Sequence, residues 1–164
     1  MKFIFLFLFL AACTSQGEDL PNFHNVQPDV FRSGQPTALG YHQLANRGIR
    51  TVIKLNSEYL NDEQRWAAQE HITLAYLPIP LFQQLFTGPD EATMKRINHL
   101  MVIPQTGPIL IHCMHGNDRT GLVIGMYRVR HNGFTAEQAY DEMLARGFHP
   151  ELLGLYGYFW SHAQ

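Results

Sequence analysis

The chain begins with an unbroken apolar run, Phe3 to Ala12, set between Lys2 and a polar stretch from Thr14 to Asp19. Such a run is too short to cross a bilayer, which takes about 20 apolar residues. One basic residue, a short apolar stretch and small residues before a cut site predict a signal peptide over 1–12. After a polar tether at 13–21, short apolar segments alternate with amphipathic ones. Asp29-Val-Phe-Arg-Ser-Gly34 predicts a strand running into a turn at Ser33-Gly34-Gln35-Pro36. A helix with Leu39, His42, Leu44 and Ala45 on its inner face comes next, stopped by Gly48. Arg50–Leu55 is the next predicted strand. Asn61, with Gln64 three residues on, predicts the cap of a helix to His71, and Ile72–Leu77 a strand stopped by Pro78 and Pro80. Residues 82–88 read as a loop. Pro89-Asp90-Glu91 opens a helix to about Met101, with acids in the first turn where the macrodipole favours them. Pro108-Ile-Leu-Ile-His112 is continuously apolar, as suits a central strand buried on both faces. Thr120 to Arg130 predicts a buried helix, Thr135 with Gln138 caps another that ends at Gly147, and the aromatic-rich segment from Pro150 to Trp160 predicts a closing helix. The alternation predicts a single α/β domain over 22–164, a central sheet flanked by helices.

Composition changes this picture little. The 164 residues are 46% hydrophobic and 16% charged, which suits one globular domain. Twelve Lys and Arg against 14 Asp and Glu give a formal charge of −2. No global field exists to draw nucleic acid, so any anion recognition must be local. Only two cysteines exist, Cys13 and Cys113. Leu10-Ala11-Ala12-Cys13 resembles a bacterial lipobox, in which the signal is cut before the Cys and a lipid on it anchors the protein to the membrane. That resemblance implies lipidation at Cys13 and a place in the cell envelope; Thr14, where Asp would retain the protein at the inner membrane, points to the outer membrane in a Gram-negative cell. The alternative is an ordinary secretory signal with Cys13 a bystander. A lipidated Cys13 leaves Cys113 without a disulfide partner, and an exported domain has little use for a free thiol unless it is a small buried hydrophobe or performs chemistry.

The surroundings of Cys113 favour chemistry. His112-Cys113-Met114-His115-Gly116-Asn117-Asp118-Arg119-Thr120-Gly121 joins the predicted buried strand directly to a helix. A strand, a tight loop and a helix start bring backbone N–H groups together on one point, which makes a cradle for a tetrahedral anion. The same dipoles, with the Arg119 guanidinium and the Thr120 hydroxyl, would stabilise a thiolate at Cys113 and make it a nucleophile. Arg119 can hold two phosphate oxygens through its planar fork and offset charge in the transition state. Gly116 allows the loop to curl, and Gly121 is expected to let the helix start approach closely.

These residues match the signature H-C-x-x-G-x-x-R-T-G, and the chain resembles the protein tyrosine phosphatase superfamily, in particular its compact bacterial and atypical dual-specificity members. Asn22-Phe23, Val26, Phe31-Arg32-Ser33-Gly34-Gln35-Pro36 and Gly48 to Ile53 extend the likeness. The resemblance implies a mostly parallel sheet, no metal or other cofactor, a phosphorylated protein or small molecule as substrate, and a phosphocysteine intermediate at Cys113 resolved by water. Met114, His115, Gly116, Asn117, Asp118, Arg119 and Thr120 would then contact substrate, and His112 would bond within the loop and support the thiolate. Such enzymes usually take a general acid from a loop after an earlier strand. Gln83 and Gln84 stand where an Asp is usual, which leaves Asp90, or else Asp118, for the acid role. Asp90 has an equal claim as a helix-start residue, and Asp118 as a group that orients the loop. The other histidines show no zinc spacing. The alternatives to a phosphomonoesterase are an inactive phosphate-binding or scaffolding module, suggested by the missing loop Asp, and a rhodanese-type sulfurtransferase, which the Arg-Thr-Gly ending disfavours.

Overall fold

The computed structural model describes residues 19–103 and 107–163; the expected signal peptide, Cys13 and most of the expected tether lie outside them. The most apolar strand explains the architecture. β5 (Ile109–His112) is buried at every position, so both its faces need cover and both its edges need a partner. It lies between β2 (Val30–Ser33) and β3 (Thr51–Lys54), in a five-stranded sheet of order β1-β2-β5-β3-β4. β4 (Thr73–Tyr76) pairs with β3 in parallel, as β2 and β3 do with β5, and β1 (His24–Gln27) alone runs antiparallel, along β2. Among the described residues six helices cover the sheet: α1 (Ala38–Asn46), α2 (Leu60–Gln69), α3 (Glu91–Val102), α4 (Asp118–Asn132), α5 (Ala136–Ala145) and α6 (Leu153–His162).

Alternate side chains of the strands feed two cores. On one face Val52 and Leu110 pack with Tyr41, Leu44 and Ala67 of α1 and α2. On the other, Ile53 and Ile111 meet Ile97, Val123, Met126, Met143 and Phe159 from the remaining helices. Each fully buried aliphatic contributes about 1.5–3 kcal/mol. Strand register also places the loops. Ser33 and Lys54 both lie level with His112, so the segments leaving β2, β3 and β5 emerge side by side at one edge of the sheet, where open α/β sheets bind ligands.

The structure departs from the expected elements in several places. β1 was not anticipated, because only Val26 of its four residues is buried and the alternation is too short to register. Asn61 does not cap α2: the helix starts at Leu60 behind Tyr59, which takes a left-handed conformation (φ 56°), while Asp62 and Glu63 supply first-turn acids. α1 is rotated from its expected face. Leu39 and His42 are exposed while Gly40, Tyr41 and Leu44 are buried, because the Tyr41 hydroxyl reaches inward to Glu63. Residues expected as a loop form a π-helical turn, Gln83–Thr87. That turn is locked to α6 through glycine: a Cβ on Gly154 would come within 2.1 Å of the Gln83 carbonyl oxygen and 2.8 Å of the Gly88 nitrogen. The capping box of Thr135 and Gln138 forms as expected.

Candidate active site

The loop after β5 turns through Cys113–Asn117 into α4. Cys113 is buried at the bottom of the turn. Gly116 has φ +78°, and a Cβ there would strike the Gly34 nitrogen at 2.6 Å and the Ser33 oxygen at 2.7 Å, so both backbone and space demand glycine. The turn after β2 braces the loop from behind: Gln35 N donates to the Met114 carbonyl at 2.9 Å, and Arg32 Nη2 donates to the Gly116 carbonyl. Asn22 Nδ2 donates to Asn117 Oδ1 at 2.7 Å and pins the other end. Among the described residues, the N–H groups of 114–117 donate to no backbone acceptor. Thr120 Oγ1 and Arg119 Nε are buried without protein partners among the described residues. Unpaired buried donors are costly unless an anion uses them. This is the geometry of an anion site at a helix start.

Arg32 is fully buried and makes no ion pair among the described residues. Burial lowers its pKa to about 10, while Glu142 and Cys113 act in the opposite direction, so it is cationic at neutral pH. The charge of a Cys113 thiolate favours the cationic form of this guanidinium.

A second buried group lies under β3 and α2. Glu63, fully enclosed, pairs with Lys54, accepts from the Tyr41 hydroxyl at 2.7 Å and from Gln35 Nε2, and lies 2.9 Å from His112 Nε2, within ion-pair distance but outside hydrogen-bond geometry. Lys54 Nζ also donates to Gln35 Oε1 at 3.0 Å and Asn56 Oδ1 at 3.3 Å. Burial would push Glu63 up, but His112 and Lys54 outweigh it and hold the carboxyl at about 2. Burial pulls Lys54 below its ordinary value, with Glu63 resisting, and raises Tyr41, with Glu63 adding to the rise. Through His112, which directly precedes Cys113, this network fixes the base of the loop.

In front of the loop is a groove of about 570 Å³. It is lined by His115, Asp118 and Arg119 from the loop and the start of α4, by Pro80, Leu81 and Gln84, and by Glu58 and His149. Asp118 Oδ1 accepts from the backbone N–H of His149 at 2.8 Å and lies 2.9 Å from its ring Nδ1. That contact raises the His149 pKa above its ordinary value, against a small opposing effect of burial. Glu58 is held below the ordinary carboxylate range by its own backbone N–H and by Asn56, with Arg119 and Lys54 acting the same way against slight burial.

A model described as the tyrosine phosphatase family matches residues 19–145, most of the chain. The chain belongs to the tyrosine phosphatase family. It is 29% identical over 130 residues to the dual specificity protein phosphatase TpbA of Pseudomonas aeruginosa, covering 79% of this chain and 56% of that protein. It is 31% identical over 108 residues to the inositol diphosphatase DSP2 of Oryza sativa subsp. japonica, covering 65% and 53%. The chain thus spans about half the length of these curated relatives. The crystal structure of P. aeruginosa TpbA superimposes with a TM-score of 0.70 at 26% identity, over 85% of this chain and 84% of that one. A cysteine-to-serine variant of TpbA in complex with pTyr gives 0.69, also at 26% identity, over 84% and 82%.

In this member of the tyrosine phosphatase family, the structure brings some of the residues picked from sequence together and separates others. Cys113, Gly116, Arg119 and Thr120 meet around the loop, with His115 and Asp118 at the groove. The Asn117 side chain bonds to Asn22 and packs on Gly147, which leaves its backbone N–H as the group it can offer an anion. Gly121 is not needed for close approach, since a Cβ there would make an ordinary 3.6 Å contact with Phe148. Asp90 does not border the groove. It caps α3, accepting from Thr93 N at 2.8 Å, and Thr93 with Gln83 holds it below the usual carboxylate range against slight burial, which opposes a role as proton donor. Sequence reasoning missed Lys54, Glu63 and His149 entirely. A lysine inside the apolar run Thr51-Val-Ile-Lys-Leu55 was the available signal for the first two, because a charge in a buried strand requires a buried partner.

Proposed function

We propose that this domain is a cysteine-dependent phosphatase that hydrolyses phosphomonoesters without a metal. The observation that carries this reading is the burial of the Cys113 thiol at the base of a glycine-bent loop that leads into the unpaired donors of Arg119 and Thr120 and is braced by the Arg32 cation. Cys113 Sγ attacks phosphorus, the P–O bond to the leaving group breaks, and a phosphocysteine forms. Arg119 and the loop N–H groups hold the equatorial oxygens, where charge develops. Water then attacks phosphorus, the S–P bond breaks, and phosphate leaves with the thiolate regenerated.

TpbA, with its pTyr complex, supports an aryl phosphate, and Pro80 and Leu81 give the groove an apolar wall for a ring. Glu58, Asp118 and Glu151 border the same groove and oppose densely charged substrates, so singly phosphorylated esters of tyrosine, serine, threonine or small molecules are favoured over polyphosphorylated inositols. The apolar run Phe3–Ala12 with Cys13 behind it supports export and lipid anchoring in the cell envelope, and an intact mass of the mature chain lacking acyl groups on Cys13 would count against that.

The deciding experiment is turnover of p-nitrophenyl phosphate in reducing buffer with chelator. Chelator-resistant turnover that is lost in Cys113→Ser supports the cysteine mechanism. A folded protein that binds phosphate without turning over substrate would instead be a binding module.

A further inference from the structure

When a phosphoryl group moves to Cys113, the departing oxygen needs a proton, and the groove offers few donors. Its titratable and charged side chains are Glu58, Tyr76, His115, Asp118, Arg119, His149 and Glu151. Glu58 is held ionised by its backbone and Asn56 contacts, and Asp90 is committed to the start of α3. Asp118 uses Oδ1 as acceptor for both the backbone N–H and the ring Nδ1 of His149. Of the remaining donors, Tyr76, His115 and His149, only His149 has a ring held by another side chain among the described residues.

Three features position its ring. Asp118, adjacent to Arg119, fixes Nδ1 at 2.9 Å. The same carboxylate fixes the His149 backbone at 2.8 Å. The chain leading to it rests on the start of α4: a Cβ on Gly147 would lie 2.8 Å from Asn117 Nδ2, and Phe148 packs beside Gly121. With Nδ1–H committed to Asp118, Nε2 is the free ring nitrogen, without a protein partner among the described residues, on a ring that borders the groove beside Arg119. The geometry points to an Asp118–His149 dyad in which His149 Nε2 protonates the leaving oxygen and Asp118 is the positioning residue. The dyad rests on the cysteine-phosphatase reading.

The step balances without a co-reactant. As the S–P bond forms and the P–O bond breaks, the leaving oxygen takes the Nε2 proton, and the imidazole remains neutral with Nδ1–H on Asp118. In the second half-reaction Nε2 takes a proton from the attacking water, the S–P bond breaks, and the imidazolium is restored. The Asp118 contact and charge raise the His149 pKa, with Glu151 adding and burial slightly opposing. Among the other charges at the groove, Glu58 also favours the cation and Arg119 disfavours it. An imidazole whose protonated form is favoured in this way is well matched to donating a proton.

The test compares phenyl phosphate, a poor leaving group, with p-nitrophenyl phosphate, whose leaving group scarcely needs a proton. Full-length wild type, Cys113→Ser, His149→Gln and Asp118→Asn are assayed in detergent from about pH 5 to 9, spanning the histidine range. The expected result is a kcat/KM loss of about 10²-fold or more for His149→Gln on phenyl phosphate, the scale of general acid catalysis, with kcat/KM for p-nitrophenyl phosphate barely affected; kcat, which also contains the phosphocysteine hydrolysis that His149 assists, falls on both esters. The alkaline limb of kcat on phenyl phosphate disappears in His149→Gln. In Asp118→Asn, which keeps an acceptor for the His149 backbone, that limb moves to lower pH. Equal losses of kcat/KM on the two esters, or an unchanged alkaline limb, would overturn the dyad while leaving Cys113-dependent turnover intact. Wild type with no Cys113-dependent turnover would overturn both the dyad and the reading it rests on.

Discussion

Behind the loop, Lys54, Glu63 and His112 are fully enclosed and each charge has a partner, whereas Leu81 at the groove and Phe82 and Phe86 on the turn beyond it are 65%, 64% and 68% exposed. The two regions meet the same anion cradle and answer different needs. The rear holds the loop in one conformation, because a buried charge that loses its partner is expensive and the network therefore tolerates little movement. The front is built of side chains whose loss costs the fold little, on a backbone turn that is itself firmly packed. Rigidity is concentrated where the nucleophile is positioned and chemical variety where the substrate body would lie.

The contrast breaks most visibly at Glu63. Glu63→Ala leaves Lys54 buried without a counter-charge and is expected to cost about 3–5 kcal/mol, read as a fall in the urea midpoint with an unchanged slope. Acid should expose the same dependence without mutation. Glu63 goes from an ordinary 4.5 to about 2 on folding. Its contribution is therefore complete above its unfolded pKa and is lost as pH falls from about 4.5 through about 2, so urea midpoints should drop across that window in wild type and less steeply in Glu63→Gln. Arg32→Met removes the donor to the Gly116 carbonyl and the cation near Cys113; the lost charged hydrogen bond costs about 1.5–3 kcal/mol, relief of the buried unpaired Nε and Nη1 offsets part of it, and we expect a net stability loss below that range in thermal melts. Its kcat on p-nitrophenyl phosphate should fall together with that stability. At the lip, Phe82→Ser and Phe86→Ser should stay within about 0.5 kcal/mol of wild type. Leu81→Ser, at the groove wall, should raise KM for aryl phosphates while leaving kcat unchanged; a kcat loss without a KM change would place the lip among the rigid parts instead.

The same division decided what could be read in advance. The apolar run Ile109–His112 announced its central place, and the loop from Cys113 to Thr120 announced an anion site, because both signals are contiguous in sequence. Asp90 was misleading for a physical reason: an acid just ahead of a helix caps it at no distance in sequence, and that local bond competes with any reach toward a distant site. The Lys54–Glu63–His112 group escaped notice because its members come from three elements and meet only when β3 and β5 fall into register. His149 was equally hidden. Its partner lies 31 positions away, and nothing nearby in the sequence marks the contact with Asp118. The rotation of α1 had a similar origin, since the inward pull on Tyr41 comes from a carboxylate on another helix.

The contact between Gly154 and the turn at Gln83–Thr87 sets limits on how this molecule can change over generations. At that point not even a methyl group is admissible, because a Cβ would sit 2.1 Å from the Gln83 oxygen. Sequence drift is therefore barred from the hinge of the lip, yet the outward side chains of Leu81, Phe82, Phe86 and Leu153 are under no such packing constraint. A lineage can recolour that surface for a new phosphoester one residue at a time, while the platform that carries it, and the distance from platform to thiol, are inherited unchanged.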